Sequence, residues 1–142
     1  RPDPRRLTVP TAITGRTKAL LPVDIFGYPA DIPAFERHGL PIVEDACEAL
    51  GAVHPDGVAV GARGHPAVFG FYANKQLTTG EGGVVTMGDP AFKERIDSER
   101  NQGRAPDMGW LDHDRLGFNY RLSDIASAIG LIDEPAPPAV PS

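Results

Sequence analysis

The sequence predicts an α/β fold with a mostly parallel sheet and flanking helices. Three observations predict it. Short apolar runs, each suited to one buried strand, stand at residues 19–25, 40–45, 67–72 and 82–87. The first two are separated by a short segment carrying helix start and stop signals, so strand, helix and strand follow as in a parallel unit. The 142 residues are 41% hydrophobic and 23% charged, the balance of one globular domain that buries about 68–70% of its unfolded surface.

The elements follow in order. Residues 1–10 are rich in Pro and Arg and lack periodicity, which predicts a tail or linker. Residues 11–132 form the predicted domain. Residues 11–17 fit a short helix or a loop. Residues 19–25 predict a strand, and Phe26-Gly27-Tyr28-Pro29 turns the chain. A short helix over 31–38 starts at the N-cap Asp31, holds Pro33 in its first turn and stops at Gly39. Residues 40–45 predict the next strand, 58–61 a weak one, and 67–72 and 82–87 stronger ones. Asp89 caps a helix whose first position is Pro90 and whose Phe92, Ile96 and Glu99 share a face. A last helix spans 122–132. Residues 133–142 are Pro-rich and predict a disordered tail.

Composition excludes several function classes. Nineteen acidic and 14 basic residues give a net charge of −5, which argues against nucleic acid as a partner. A single cysteine, Cys47, makes no internal disulfide and no zinc site, and it fits a small core residue better than a nucleophile. No apolar run reaches the length of a membrane span. The basic first residues are not followed by the apolar stretch of a secretory signal, so a cytoplasmic setting is expected. His38, His54, His65 and His113 lack metal-ligand spacing and read as surface or loop residues. Trp110 and Phe118 read as core or interface aromatics. The glycines near 57–64 and 80–83 match neither a Walker loop nor a dinucleotide fingerprint.

Two segments carry chemistry. In Phe69-Gly70-Phe71-Tyr72-Ala73-Asn74-Lys75 a lysine follows an apolar strand and precedes a Thr/Gly turn. A lysine past a strand end, near a cleft, can serve as an amine for Schiff-base chemistry. A solvated loop lysine is the simpler reading of position alone. In Val43-Glu44-Asp45-Ala46-Cys47-Glu48 an aspartate ends a strand, at the edge where α/β sheets bind ligands. A carboxylate there can hold a protonated pyridine nitrogen or cap a helix.

Together with Thr17–Gly27, Gly80-Glu81-Gly82-Gly83, Asn101-Gln102-Gly103-Arg104 and Gly117-Phe118-Asn119-Tyr120-Arg121, these segments resemble the DegT/DnrJ/EryC1/StrS family of pyridoxal 5′-phosphate (PLP)-dependent sugar aminotransferases. The six stretches occur in the family's order over about residues 10–132. The resemblance implies an incomplete fold-type I transferase large domain. It implies that Lys75 binds PLP covalently and moves the proton, and that Asp45 pairs with the pyridine nitrogen. Glu48 stands near the ring where the family usually has Gln or His. Asn119 corresponds to the asparagine that reaches the phosphate of the neighbouring subunit's PLP, so a shared homodimeric site is expected. The implied reaction moves an amino group from an amino acid, glutamate as the usual donor, to a keto-sugar nucleotide for amino-sugar, polysaccharide or antibiotic-sugar synthesis.

The sequence departs from the family at three points. Gly70 replaces a phosphate-binding Ser found in many members. The 31–38 segment is shortened. The length matches only the middle of the large domain, so a truncated member with open sheet edges and exposed apolar surface is expected. A non-catalytic remnant or interaction module without cofactor is the alternative. The related sugar dehydratase branch carries His in place of the lysine, and Lys75 argues against it.

Overall fold

The computed structural model describes residues 12–105 and 112–133. Residues 1–10, Trp110 and nearly all of the Pro-rich end lie outside the described residues. The elements in chain order are α1 (Ile32–Glu36), β1 (Glu44–Asp45), β2 (Ala67–Gly70), β3 (Gly83–Thr86), α2 (Pro90–Arg100) and α3 (Asp124–Asp133). A single 3-10 turn covers Ile25–Gly27.

The fold is α/β, but the sheet is mixed. β1 pairs parallel with β2, and β2 pairs antiparallel with β3 in the order β1-β2-β3. The expected strand over 19–25 lies parallel beside β1 through two bridges only, Leu20 to Ile42 and Val23 to Asp45. Its bonds are regular: Leu20 N–H donates to the Pro41 carbonyl at 2.8 Å, and Asp24 N–H to the Asp45 carbonyl at 2.9 Å. Between them stands Pro22, which has no N–H to give, so the ladder is interrupted. The weak strand over 58–61 reduces to one bridge, Val53 to Ala59.

Alternation decides which face is buried. Leu20, Pro22 and Asp24 are buried, as are Ile42, Glu44 and Ala46, and Ala67 and Phe69. Their period of two puts each set on one face of its strand. The residues between them, Leu21, Val23, Val43, Asp45 and Val68, are half-buried or exposed. Two apolar clusters line the buried side. Leu20, Ile32 and Ile42 form one, with α1 contributing Ile32. Ala46, Ala49, Val60, Ala67 and Phe69 form the other.

Helix signals perform as chemistry requires. The Asp31 carboxylate accepts the Ala34 N–H at 3.2 Å and starts α1. The Asp89 carboxylate accepts the Ala91 N–H at 2.9 Å and starts α2, with Pro90 first. The expected apolar face of α2 is not its buried face: Phe92 is exposed, and Ser98 is buried. Ser98 Oγ donates to the Arg104 carbonyl at 2.6 Å, which fastens the helix end to the following loop. α3 runs through Asp133, one residue into the stretch expected to be irregular, and exposes Ile125, Leu131 and Ile132.

The end of α2 is crossed by residues 115–120. Phe118 N–H donates to the Glu99 carbonyl at 2.8 Å, and Gln102 N–H to the Phe118 carbonyl at 2.9 Å. Backbones approach this closely only because Gly103 has no side chain. Its φ is +78°, and a Cβ would collide with the Arg115 carbonyl. Gly103→Ala should therefore cost well over 1 kcal/mol. Thermal unfolding followed by circular dichroism should show a Tm lower by roughly 4 °C or more; an unchanged Tm would mean that this crossing is not rigid.

Candidate functional site

The site forms where β1 and β2 end. The chain leaves β1 at Asp45 and turns through Ala46-Cys47-Glu48. Asp45 Oδ1 accepts the Cys47 N–H at 3.2 Å, an Asx-type turn that sets the aspartate's direction. The chain leaves β2 at Gly70 and turns at residues 72–75, where Lys75 N–H donates to the Tyr72 carbonyl at 3.0 Å. Two turns at neighbouring strand ends thus bring together residues 27 positions apart.

Lys75 Nζ lies 3.4 Å from Glu48 Oε1. The lysine side chain is 18% exposed and that of Glu48 35%. The other oxygen, Glu48 Oε2, accepts the Phe26 N–H at 2.9 Å. That bond, and then the Lys75 ammonium, hold the Glu48 carboxyl below the usual glutamate range, so it carries charge at neutral pH. The Gln76 side-chain amide donates to the Glu48 carbonyl. An open pocket of about 430 Å³ is lined by Phe26, Glu48, Asn74, Lys75 and Gln76.

Phe26 was expected only as part of a turn. It adopts φ 55°, the left-handed region, at a cost of about 1 kcal/mol or more for a bulky residue. The Glu48 carboxylate on its N–H and the 3-10 bonds around it hold that conformation. Neither Phe26 nor Gln76 was legible as a site residue, because both arrive through turn geometry. The nearest sequence signal is the Phe-Gly pair, a turn marker.

Asp45 is not among the residues that line this pocket; it stands within electrostatic reach of them. Both Asp45 and Lys75 act electrostatically on Cys47 and on Glu48. Cys47 Sγ donates to the Val68 carbonyl at 3.6 Å, and burial, followed by the Asp45 carboxylate, pushes its thiol up. A protonated thiol is a poor nucleophile. A Cβ built on Gly70 would stand 3.6 Å from Cys47 Sγ and 3.7 Å from Lys75 Cε, in ordinary contact. Gly70 therefore borders the lysine stem and leaves room for a small side chain.

Lys75 and Glu48 are thus brought together, with Asp45 close enough to act on Glu48 and Cys47 through its charge. Asn119 is not among the residues that line the pocket. It bridges to Asn101 beside the α2 crossing, and Arg121 donates to Asn101 Oδ1 at 2.7 Å. Phe118 is exposed and stacks on Tyr120 with ring centroids 5.3 Å apart, outside the apolar clusters. His54, expected as a surface or loop residue, lies in a loop but is buried with 3% exposure, because the turn after Ala49 folds it back onto Glu44. His65 pairs with Glu36 at 2.9 Å. Among the described residues no helix is long and apolar enough to cross a membrane.

Comparison with known proteins identifies the family. Residues 3–133 match the DegT/DnrJ/EryC1/StrS aminotransferase family. The GDP-perosamine synthase of Caulobacter vibrioides is 41% identical over 139 residues, which is 91% of this chain and 37% of that protein. The dTDP-3-amino-3,4,6-trideoxy-alpha-D-glucose transaminase of Streptomyces venezuelae is 44% identical over 128 residues, 87% of this chain and 33% of that protein. Among solved structures, S. venezuelae DesV superposes with a TM-score of 0.79 at 43% identity, covering 87% of this chain and 33% of its own. Helicobacter pylori PseC, an aminotransferase involved in pseudaminic acid biosynthesis by its description, gives 0.79 at 30% identity, covering 89% and 35%. The chain spans about a third of the length of the relatives it matches. With the matched residues covering nearly its whole length, the chain belongs to the DegT/DnrJ/EryC1/StrS aminotransferase family.

Proposed function

We propose that this chain is the central part of a PLP-dependent sugar aminotransferase large domain, with Lys75 as the residue that holds PLP covalently. The observation that carries the reading is the pairing of Lys75 with Glu48 beside an open pocket at adjacent strand ends, within electrostatic reach of Asp45. The donor set fits the cofactor: an amine for its aldehyde, a carboxylate for its ring nitrogen, and a glycine that lets a flat group approach the lysine stem. When bound, PLP supplies an electron sink for charge at the substrate's Cα.

Each residue has a defined task. Lys75 Nζ holds the cofactor and, once released from it, accepts and returns the proton at the reacting carbon. Asp45, aimed by the Cys47 N–H, keeps a proton on the ring nitrogen. Glu48 places a fixed negative charge beside the Lys75 amine and ties it to the Phe26 turn. The Lys75–Glu48 pair must open for the amine to react. Asn119 serves the PLP phosphate of a neighbouring subunit in a homodimer. The amino group passes from an amino acid, glutamate by preference, to a keto-sugar nucleotide. The relatives, which include a GDP-perosamine synthase and sugar transaminases, support that substrate class.

Borohydride reduction in the presence of PLP, followed by peptide mapping, tests the reading. A pyridoxyl group confined to Lys75 and lost in Lys75→Ala is expected. Diffuse labelling, or none, would favour a remnant without cofactor. Gly70→Ser tests the phosphate side of the pocket. Because a Cβ fits there in ordinary contact, the variant should fold. A new hydroxyl donor to the phosphate should lower the PLP Kd by about tenfold, as one hydrogen bond to a charged group allows. Absorbance titration measures it, and a raised Kd would place the phosphate elsewhere.

A further inference from the structure

A second cluster of ionisable groups lies outside the candidate site, on the buried face of the sheet. Ile42, Glu44 and Ala46 follow one another on that face, and Glu44 falls between the two apolar clusters to which Ile42 and Ala46 belong. Glu44 is 1% exposed, Asp24 0% and His54 3%. One oxygen of each carboxyl group is satisfied. Asp24 Oδ1 accepts the Ala30 N–H at 2.7 Å, and Glu44 Oε2 accepts the Gly61 N–H at 3.1 Å. Asp24 Oδ2, Glu44 Oε1 and His54 Nε2 are buried without a hydrogen-bond partner. His54 Nε2 stands 3.5 Å from Glu44 Oε1, and Asp24 is within hydrogen-bonding reach of Glu44.

Two buried carboxylates in contact repel, and neither has water to screen it. One proton removes the conflict, because it neutralises one group and bonds it to the other. We propose that Glu44 is carried as the neutral acid, donating its proton to Asp24, and that this pair, backed by His54, is a proton-dependent positioning device for the strand that bears Asp45. The link is direct. Glu44 and Asp45 are all of β1, and Asp24 N–H donates to the Asp45 carbonyl at 2.9 Å. Burial is the main force pushing the Glu44 carboxyl up, and the Asp24 charge is next. The Gly61 N–H and His54 pull the other way with less effect. Asp24, from the edge segment, and His54, from the turn after Ala49, are the ionisable groups that act on Glu44.

The sign follows. A carboxyl group whose folded-state value is raised binds its proton more tightly in the folded chain. Its contribution to stability is complete below the ordinary glutamate value and is lost as pH rises through the folded value. In Glu44→Gln the side-chain amide donates permanently to Asp24.

Two measurements on the full chain without PLP test this. In the first, the Glu44 carboxyl carbon is titrated by NMR in the parent. It should titrate above the ordinary glutamate range, and the Asp45 resonances should move at the same midpoint. A Glu44 midpoint at or below the ordinary range overturns the proposal, as does an Asp45 response unlinked to it. In the second, urea unfolding is followed between about pH 5 and about pH 8, the range in which a raised glutamate releases its proton. The parent midpoint should fall with rising pH, and that of Glu44→Gln should stay flatter and exceed the parent's at the upper end. Equal slopes overturn the proposal. The parent titration decides the matter even if the variant does not fold. Neither readout involves the cofactor, so failure of the aminotransferase reading leaves this test intact.

Discussion

The structure depends on one strand being bonded on both sides. Asp45 N–H donates to the Pro22 carbonyl and Asp24 N–H to the Asp45 carbonyl, each at 2.9 Å. On the other side Glu44 N–H donates to the Pro66 carbonyl at 2.8 Å, and Ala46 N–H to the Val68 carbonyl at 2.9 Å. These bonds set the register, and register sets which way each side chain points. Glu44 is turned into the core and Asp45 away from it. A slip of one residue would exchange them, burying the site carboxylate and exposing its buried neighbour.

Glu48 and Glu44 show how environment divides like groups into unlike roles. The carboxylate nearest the pocket lysine, Glu48, is half-buried, accepts an N–H from Phe26 and meets a cation, so it stays charged. Glu44 is fully enclosed and meets another carboxyl group, so its charge is suppressed. Both effects are local, yet both act on one short strand and the turn after it. That strand is where the chain concentrates its unusual electrostatics, while the surface pairs of α2, such as Arg95 with Glu99 at 2.7 Å, are ordinary exposed pairs that contribute little.

The exposed apolar groups have a physical reading as well. Ile125, Leu131 and Ile132 on α3, together with Leu21 and Val23 on the open side of the sheet, are exposed. Apolar residues at these positions are spaced as if for burial, and the chain spans about a third of its relatives' length. α3 nevertheless has a defined seat: a Cβ at Gly130 would press on Thr79 at 2.9 Å, so the helix lies closely against that turn.

Much of this protein could be read from sequence, because the signals are local. Asp31 and Asp89 announce helix starts through their own side chains, and each caps as its type dictates. The Lys75 and Asp45 segments stand out through their order and their resemblance to the family. Pro22 sits in an apolar run that resembles a strand, and only pairing revealed the missing donor that reduces it to two bridges. Phe92 satisfied helical periodicity, yet what lay opposite α2 made Ser98 the buried position. His54 looked like a loop histidine, because nothing nearby shows that a turn returns it to Glu44. By itself the sequence determined the fold class, the helix caps and the family, and it singled out Lys75 and Asp45 as candidates. Tertiary structure alone decided the mixed sheet, the pairing of Lys75 with Glu48 and the burial of Asp24 against Glu44. The two side-chain contacts join residues 27 and 20 positions apart, and their energies depend on register and enclosure, which no local pattern records.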